Sequence, residues 1–294
     1  MKPAKDMIEF HADDYGMFPA QSARIRTCIE EGVLNGISIM PNSPYLKECM
    51  EALTPLRDSV RIAVHLNFVH GYPLSGTDAV PHLVRRDGAF HIPYQKALLA
   101  SYYPGMRRVY KEEFKKEIRA QLKACDPFMK PEDYRIDTHL HYLMVPVIFD
   151  TLMEVIREDN RVVSYIRVPA EDFQAYSRCG GLKHIPPVNI VKAVLLKTLA
   201  VRNRIRYGSY LKGRTHDRFY GVLYSGHMTM ENVRPLLEDY RAHYADAPAE
   251  FLFHPGAVYE EEDIRQLTAA SDKTFLTDAL RDEEARALCL LTQG

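Results

Sequence analysis

The chain has 294 residues, 46% of them hydrophobic and 26% charged, so it can bury a substantial core and is neither disordered nor collagen-like. Lys and Arg number 38 against 39 Asp and Glu, a net charge of −1, which excludes a global field for nucleic acid or an anionic membrane surface. Five scattered cysteines with no CxxC pair (Cys28, Cys49, Cys125, Cys179, Cys289) argue against a disulfide framework and against a thiolate zinc site.

In chain order, Met7 to Ala12 reads as a strand ended by Asp13, Asp14 and Gly16. Pro19 opens a helix with Ile25, Cys28, Ile29 and Val33 at helical spacing, and Asn35-Gly36 stops it before a strand at Ile37 to Met40. A short helix from Tyr45 to Leu53 leads to a third strand, Val60 to Asn67. From Phe68 to Met106 four prolines and four tyrosines break the pattern, which predicts a long loop folded over the rim as a lid or wall.

Helical periodicity returns through Phe114, Ile118, Leu122 and Cys125. Then follow a strand at Tyr134 to Thr138, a helix from Pro146 to about Glu158 and a strand from Val162 to Val168. The remainder predicts a helix over 189 to 207, a strand at Phe219 to Tyr224, a helix from Met230 to Tyr244, a strand at Glu250 to Phe253 and a last helix from Asp282 to Leu291. Strand and helix alternate about seven times without a linker, which predicts one α/β domain over 1–294, a (β/α) barrel of seven or eight parallel strands, with a doubly wound sheet as the alternative. Lys192 and Lys197 interrupt the longest apolar stretch, so no membrane span is expected. Met1 to Phe10 lacks a secretory signal's apolar core, so the cytoplasm is the expected compartment.

In such a fold the strand ends share one rim, where the loops build active sites. Asp13 and Asp14 follow the first strand, His65 ends the third, Asp137 and His139 the fourth, Arg167 the fifth and His254 the last. Adjacent carboxylates can divide roles, one holding a metal while the other takes a proton, although an Asx turn with a capping Asp explains the pair equally. If the segment stays extended, Asp137, His139 and His141 share a face, presenting a ligand His with a carboxylate behind it. Asp, His and His suit Zn²⁺ or a harder divalent ion and leave coordination positions open for water and substrate. His254, before Pro255-Gly256, suits a general acid or a satisfied loop histidine. Arg178 to Arg218 holds ten Lys or Arg against the single acid Asp217, either an attractor for an acidic substrate or a solvated helix face.

Ala12-Asp13-Asp14-Tyr15-Gly16, His65-Leu66-Asn67 followed by Gly71-Tyr72-Pro73-Leu74, Asp137-Thr138-His139-Leu140-His141, Arg167-Val168-Pro169 and His254-Pro255-Gly256 occur in this order. With them the chain resembles the YdjC-like carbohydrate deacetylases, a family that includes chitooligosaccharide deacetylases. The resemblance implies a (β/α) barrel in which Asp14, His65 and His139 hold a divalent metal, Zn or Mg. It implies Asp13 as catalytic base oriented by Arg167, His254 as general acid, Asp137 behind the ligands, and Asn67, Tyr72 and His141 toward substrate. The implied reaction is removal of acetyl from an N-acetylated sugar, with no nucleic-acid partner and with room for a homodimer. Two departures stand out: Leu143 where the family has a further His, and a blurred acidic and arginine pattern between Glu260 and Glu284. The rival readings are a metal-independent glycosidase using Asp13 and Asp137 and a non-catalytic carbohydrate-binding barrel.

Overall fold

Strand and helix succeed one another through the chain, as the alternation predicts. The computed structural model describes residues 7–267 and 270–291; the first six residues of the Met1 to Phe10 stretch and the extreme ends of the expected 1–294 unit lie outside the described residues. The elements are β1 (Ile8–Tyr15), α1 (Pro19–Glu30), β2 (Gly36–Ile39), α2 (Leu46–Leu53), β3 (Arg61–Leu66), α3 (Tyr94–Ala100), α4 (Pro104–Cys125), β4 (Arg135–Thr138), α5 (Pro146–Glu158) and β5 (Tyr165–Ile166). They continue with α6 (Phe173–Arg178), α7 (Pro187–Leu211), β6 (Arg218–Tyr220), α8 (Met230–His243), β7 (Ala249–Phe253), α9 (Glu261–Gln266), α10 (Ala270–Leu276) and α11 (Leu280–Leu290). No described helix is long and apolar enough to cross a membrane.

The strands form one parallel sheet in the order β5-β4-β3-β2-β1-β7-β6. Among the described residues no pairing joins β5 to β6, so the barrel-like sheet of seven parallel strands is a curled half-barrel. The reason is length: β5 and β6 have two and three residues, too few to carry a ladder around the circle. The open side is bridged instead by Ile166 N donating to Arg214 O at 2.7 Å and by side chains described below.

Period-2 alternation sorts the strands into two faces. Phe10, Ala12, Ile37, Ile39, Val64, Ile136 and Ile166 are buried toward the helices. The concave face is polar: Glu9, His11 and Asp13 from β1, Ser38 from β2, His65 from β3, Arg135 and Asp137 from β4, Glu250 from β7, and Arg167 just past β5, all buried. Gly36 opposite them leaves the room; a Cβ there would sit 2.6 Å from both Glu9 Oε1 and His11 Nδ1.

Three expectations change. β1 continues through Asp13 and Asp14 to Tyr15 instead of ending before them, because both carboxylates find side-chain partners inside, His139 for Asp14 and Arg167 for Asp13. The fifth strand, expected over Val162 to Val168, is confined to Tyr165–Ile166. The segment 68–106 is not irregular throughout: it contains α3 and the start of α4, and its Val80, Leu83, Phe90, Ile92, Ala97 and Ala100 are buried in the main core. The short helices α6, α9 and α10 had no signal, since six or seven residues barely register a 3.6-residue period.

Candidate metal centre and active site

At the C-terminal end of β1 the register with β2 slips between Ala12 and Tyr15, and Asp14 takes a left-handed φ of 68°, a conformation Asp tolerates better than most residues. This twist aims two neighbouring carboxylates at different partners in one cavity. Asp13, on the concave side by alternation, meets Arg167, whose Nη1 donates to Asp13 Oδ1 and Oδ2, each at 2.9 Å. Asp14 Oδ1 lies 2.8 Å from His139 Nδ1 and 3.5 Å from His65 Nε2.

His65 Nδ1 is 2.6 Å from Asp137 Oδ1, which leaves Nε2 turned toward Asp14. One ligand atom from each of Asp14, His65 and His139 lies within 4.8 Å of the others, and all three residues are buried. Asp14 Oδ2 and His65 Nε2 are enclosed without a hydrogen-bond partner. A carboxylate and an imidazole with open valences, beside a second imidazole, are a donor set suited to a divalent cation. His11, Asp13 and Asp137 also cluster within 4.8 Å, but His11 is bonded to Glu9 and Ser38, Asp13 to Arg167, and Asp137 to His65 and Ser38. That second group is already satisfied.

The electrostatics separate the two aspartates. Burial raises the pKa of Asp13, and Arg167 offsets this only in part. For Asp14 burial also opposes the charge, yet His139 and His65 hold it well below the usual carboxylate range. Burial disfavours a proton on His65, but Asp13 and Asp137 outweigh it and push its pKa up to about 10.

His254 follows β7; its backbone N–H donates to Glu284 Oε2 at 2.5 Å, its ring stands edge-on to Phe275, and Nδ1 has no hydrogen-bond partner. Burial pushes its pKa well below the ordinary histidine value, with Asp14 opposing and Arg281 and Lys192 adding to the effect. His141 also reaches the site region, though not by strand alternation as expected. The strand stops at Thr138, and Leu140 and His141 turn back with φ of 49° and 57°. Burial, Lys192 and Arg167 hold His141 well below its usual pKa.

Beside the centre lies a cleft of about 330 Å³ lined by Met17, Met40, Asn67, His70, Tyr72 and Phe90 among others. Tyr72 stands at its mouth, 60% exposed. Asn67 lies in the wall of this cleft. Its amide donates to Asn42 Oδ1 and His70 O and accepts from Val69 N and His70 N, which exhausts its valences and makes it a builder of the wall.

Several neighbours went unnoticed in the sequence. His70 packs edge-on against His139, and burial lowers its pKa to about 3. Glu9, His11 and Glu250 could have been found by extending the alternation used at Asp137, since each is a polar residue inside an apolar strand. Arg281, Asp282 and Glu284 on α11 supply acids and an arginine within the region read as blurred, holding Gly256 O, Ala257 N and His254 N respectively. Leu143, at the other departure, is a buried core residue.

Known proteins resemble this chain in sequence and in fold. A zebrafish (Danio rerio) protein named carbohydrate deacetylase is 24% identical over 245 residues, 81% of this chain and 72% of its own length. One of the same name from Thermoanaerobacter pseudethanolicus is 24% identical over 150 residues, 51% of this chain and 56% of its own. A solved structure from Enterococcus faecalis V583, provisionally named for cellobiose-phosphate cleavage, superposes with a TM-score of 0.68 at 18% identity, covering 96% of this chain and 90% of that one, and shows the shared fold. The family model for YdjC-like proteins matches residues 7–290, nearly the whole chain, and the protein belongs to the YdjC-like family.

Proposed function

We propose that the chain is a metal-dependent hydrolase, a single domain that removes the acetyl group from an N-acetylated sugar or oligosaccharide and releases acetate and an amino sugar. The observation that carries this reading is the convergence of Asp14, His65 and His139 with Asp14 Oδ2 and His65 Nε2 buried and unpartnered. A buried polar atom left open costs about 1–3 kcal/mol, a cost that a bound cation removes. A divalent ion held by these three residues, Zn²⁺ or Mg²⁺, supplies Lewis acidity toward the acetamide carbonyl and lowers the pKa of water.

Asp13 takes the proton of the attacking water, its basicity raised by burial and its orientation fixed by the Arg167 fork. His254 protonates the departing amine nitrogen. Burial, with Arg281 and Lys192 nearby, disfavours the charged form of this imidazole in the free chain. His141 and Tyr72 face the sugar. The name shared by the relatives supports a sugar amide as substrate. Five cysteines, none in a disulfide, suit the cytoplasm.

Acetate release from a panel of N-acetylated mono- and oligosaccharides, with and without chelator and with Zn²⁺ or Mg²⁺ restored, tests the reading. Turnover that chelation abolishes and metal restores is expected. Cleavage of a sugar linkage that survives chelation would establish the glycosidase instead, and tight sugar binding without turnover would establish a binding barrel.

A further inference from the structure

His11 sits in the middle of the concave face, fully buried, with four carboxylates around its ring. Nδ1 is 2.8 Å from Glu9 Oε1 and 4.0 Å from Glu250 Oε1, and Nε2 is 3.7 Å from Asp13 Oδ1 and 3.8 Å from Asp137 Oδ2. Two buried guanidiniums answer these acids, Arg135 at Glu9 and Arg167 at the other three, so negative charge stays in excess around the ring. The hydrogen bonds fix where its protons sit. Ser38 has one hydroxyl proton and donates it to Asp137 Oδ2. His11 Nε2, 2.7 Å from Ser38 Oγ, therefore faces a lone pair and must donate. Nδ1 must donate as well, because the Glu9 carboxylate before it already accepts from Arg135 Nη2 at 2.6 Å through its other oxygen. Burial works against the Glu9 charge, but Arg135 and His11 hold its pKa well below the ordinary carboxylate range. A neutral imidazole has a single N–H, so two donated bonds require the imidazolium.

We propose that His11, protonated on both ring nitrogens, is a positioning residue that acts on His65 through Ser38 and Asp137. Its Nε2–H occupies the Ser38 lone pair and turns the hydroxyl proton onto Asp137 Oδ2, where Arg167 Nη2 also donates at 2.9 Å. With Oδ2 spent, Oδ1 is left to His65 Nδ1 at 2.6 Å, and the His65 ring presents Nε2 toward Asp14. A ligating imidazole whose other N–H is held by a carboxylate is fixed in tautomer and orientation, and such outer partners typically contribute about 10- to 100-fold in metal affinity. The chain of bonds crosses β1, β2, β4 and β3 in turn, so the sheet itself holds its four members in line. Gly36, paired with His11 across the β1–β2 ladder, leaves the space that the His11–Glu9 pair fills.

The proposal rests on reading Asp14, His65 and His139 as metal ligands, but its first readout needs no metal. In the metal-free full chain labelled with ¹⁵N-histidine, the His11 ring should show two N–H correlations by nuclear magnetic resonance. They are assigned by their loss in His11→Asn or, should that variant not fold, by their shift in Ser38→Ala. Calorimetric titration with Zn²⁺ should show His11→Asn and Ser38→Ala each weakening binding by about 10- to 100-fold. The double variant should bind no more weakly than the worse single one, because both residues act through one chain of bonds. His216→Asn removes an imidazole beside the same Glu9 and Glu250 but outside the Ser38 link, and should bind Zn²⁺ as the wild type does. A single N–H on the His11 ring overturns the proposal, as do losses that add in the double variant or a Zn²⁺ affinity that neither substitution moves. A wild-type chain that binds no divalent ion overturns the metal reading and the positioning role together, whereas one N–H on His11 with Zn²⁺ still bound overturns the present proposal alone.

Discussion

Asp13 and Asp14 are adjacent and equally buried, yet one is tied to a guanidinium and the other to two imidazoles. Asp13→Asn should therefore leave metal bound in full stoichiometry while deacetylation falls by about 10² to 10⁴, the usual contribution of a general base. Excess metal should not restore it. Asp14→Asn removes a charged donor from the cluster, so its defect lies in occupancy and higher metal concentration should partly rescue it. Metal content by elemental analysis, read beside acetate release, checks both. Metal loss in Asp13→Asn with retention in Asp14→Asn would exchange the two roles.

Among the elements, α11 holds the loop that carries His254. Glu284 Oε2 accepts from His254 N, Glu284 Oε1 accepts from Met228 N at 3.1 Å, and Arg281 Nε donates to Gly256 O at 3.1 Å. Glu284→Ala strands two buried N–H groups and should cost about 1–3 kcal/mol for each in thermal or urea unfolding. An unchanged midpoint would show that α11 does not anchor the loop.

Glu171, in the loop after β5, plays a similar part for the exit of β6, accepting from Val222 N at 2.8 Å, Leu223 N at 2.6 Å, Gly221 N at 2.5 Å and Tyr176 Oη at 2.7 Å. Burial raises its pKa to about 7 in spite of these donors. A carboxyl whose folded pKa lies above its ordinary 4.5 contributes stability that is complete below pH 4.5 and is lost as pH rises through about 7. The thermal midpoint should accordingly decline between pH 5 and 8, and Glu171→Gln, which cannot titrate, should flatten that decline. Parallel slopes in the two proteins would refute the assignment.

For the whole molecule the open side of the half-barrel depends on charge. Arg167 reaches Glu250 through Nε at 2.7 Å and Asp137 through Nη2 at 2.9 Å, and Tyr165 also bonds Glu250, so buried side chains span the gap that no ladder closes. Burial works against the Glu250 charge, but Arg167 and His216 hold it well below the ordinary carboxylate range. Removing one partner of a buried ion pair leaves the other uncompensated, so Glu250→Ala should lose about 3–5 kcal/mol in urea denaturation. A loss below about 1 kcal/mol would mean that the backbone, not this network, holds the open edge.

Local patterns were enough for much of this. Pro146 at the first turn and an apolar period from Val147 to Ile156 define α5, and the expected helix, Pro146 to about Glu158, coincides with the structure. Alternating strands and helices in parallel order necessarily bring strand ends together, so the polar residues at or just past the ends of β1, β3, β4, β5 and β7 could be read as sharing one rim before their distances were known. Local patterns report which face of an element is buried, not what it is buried against. The half-barrel, the left-handed turns at Asp14 and His141, the spent valences of Asn67 and the hold of α11 on His254 all follow from partners remote in sequence. The pairs that decide them, such as Arg167 with Asp13 154 residues away and with Glu250 83 residues away, exist only once the sheet has curled and left buried charges to compensate one another.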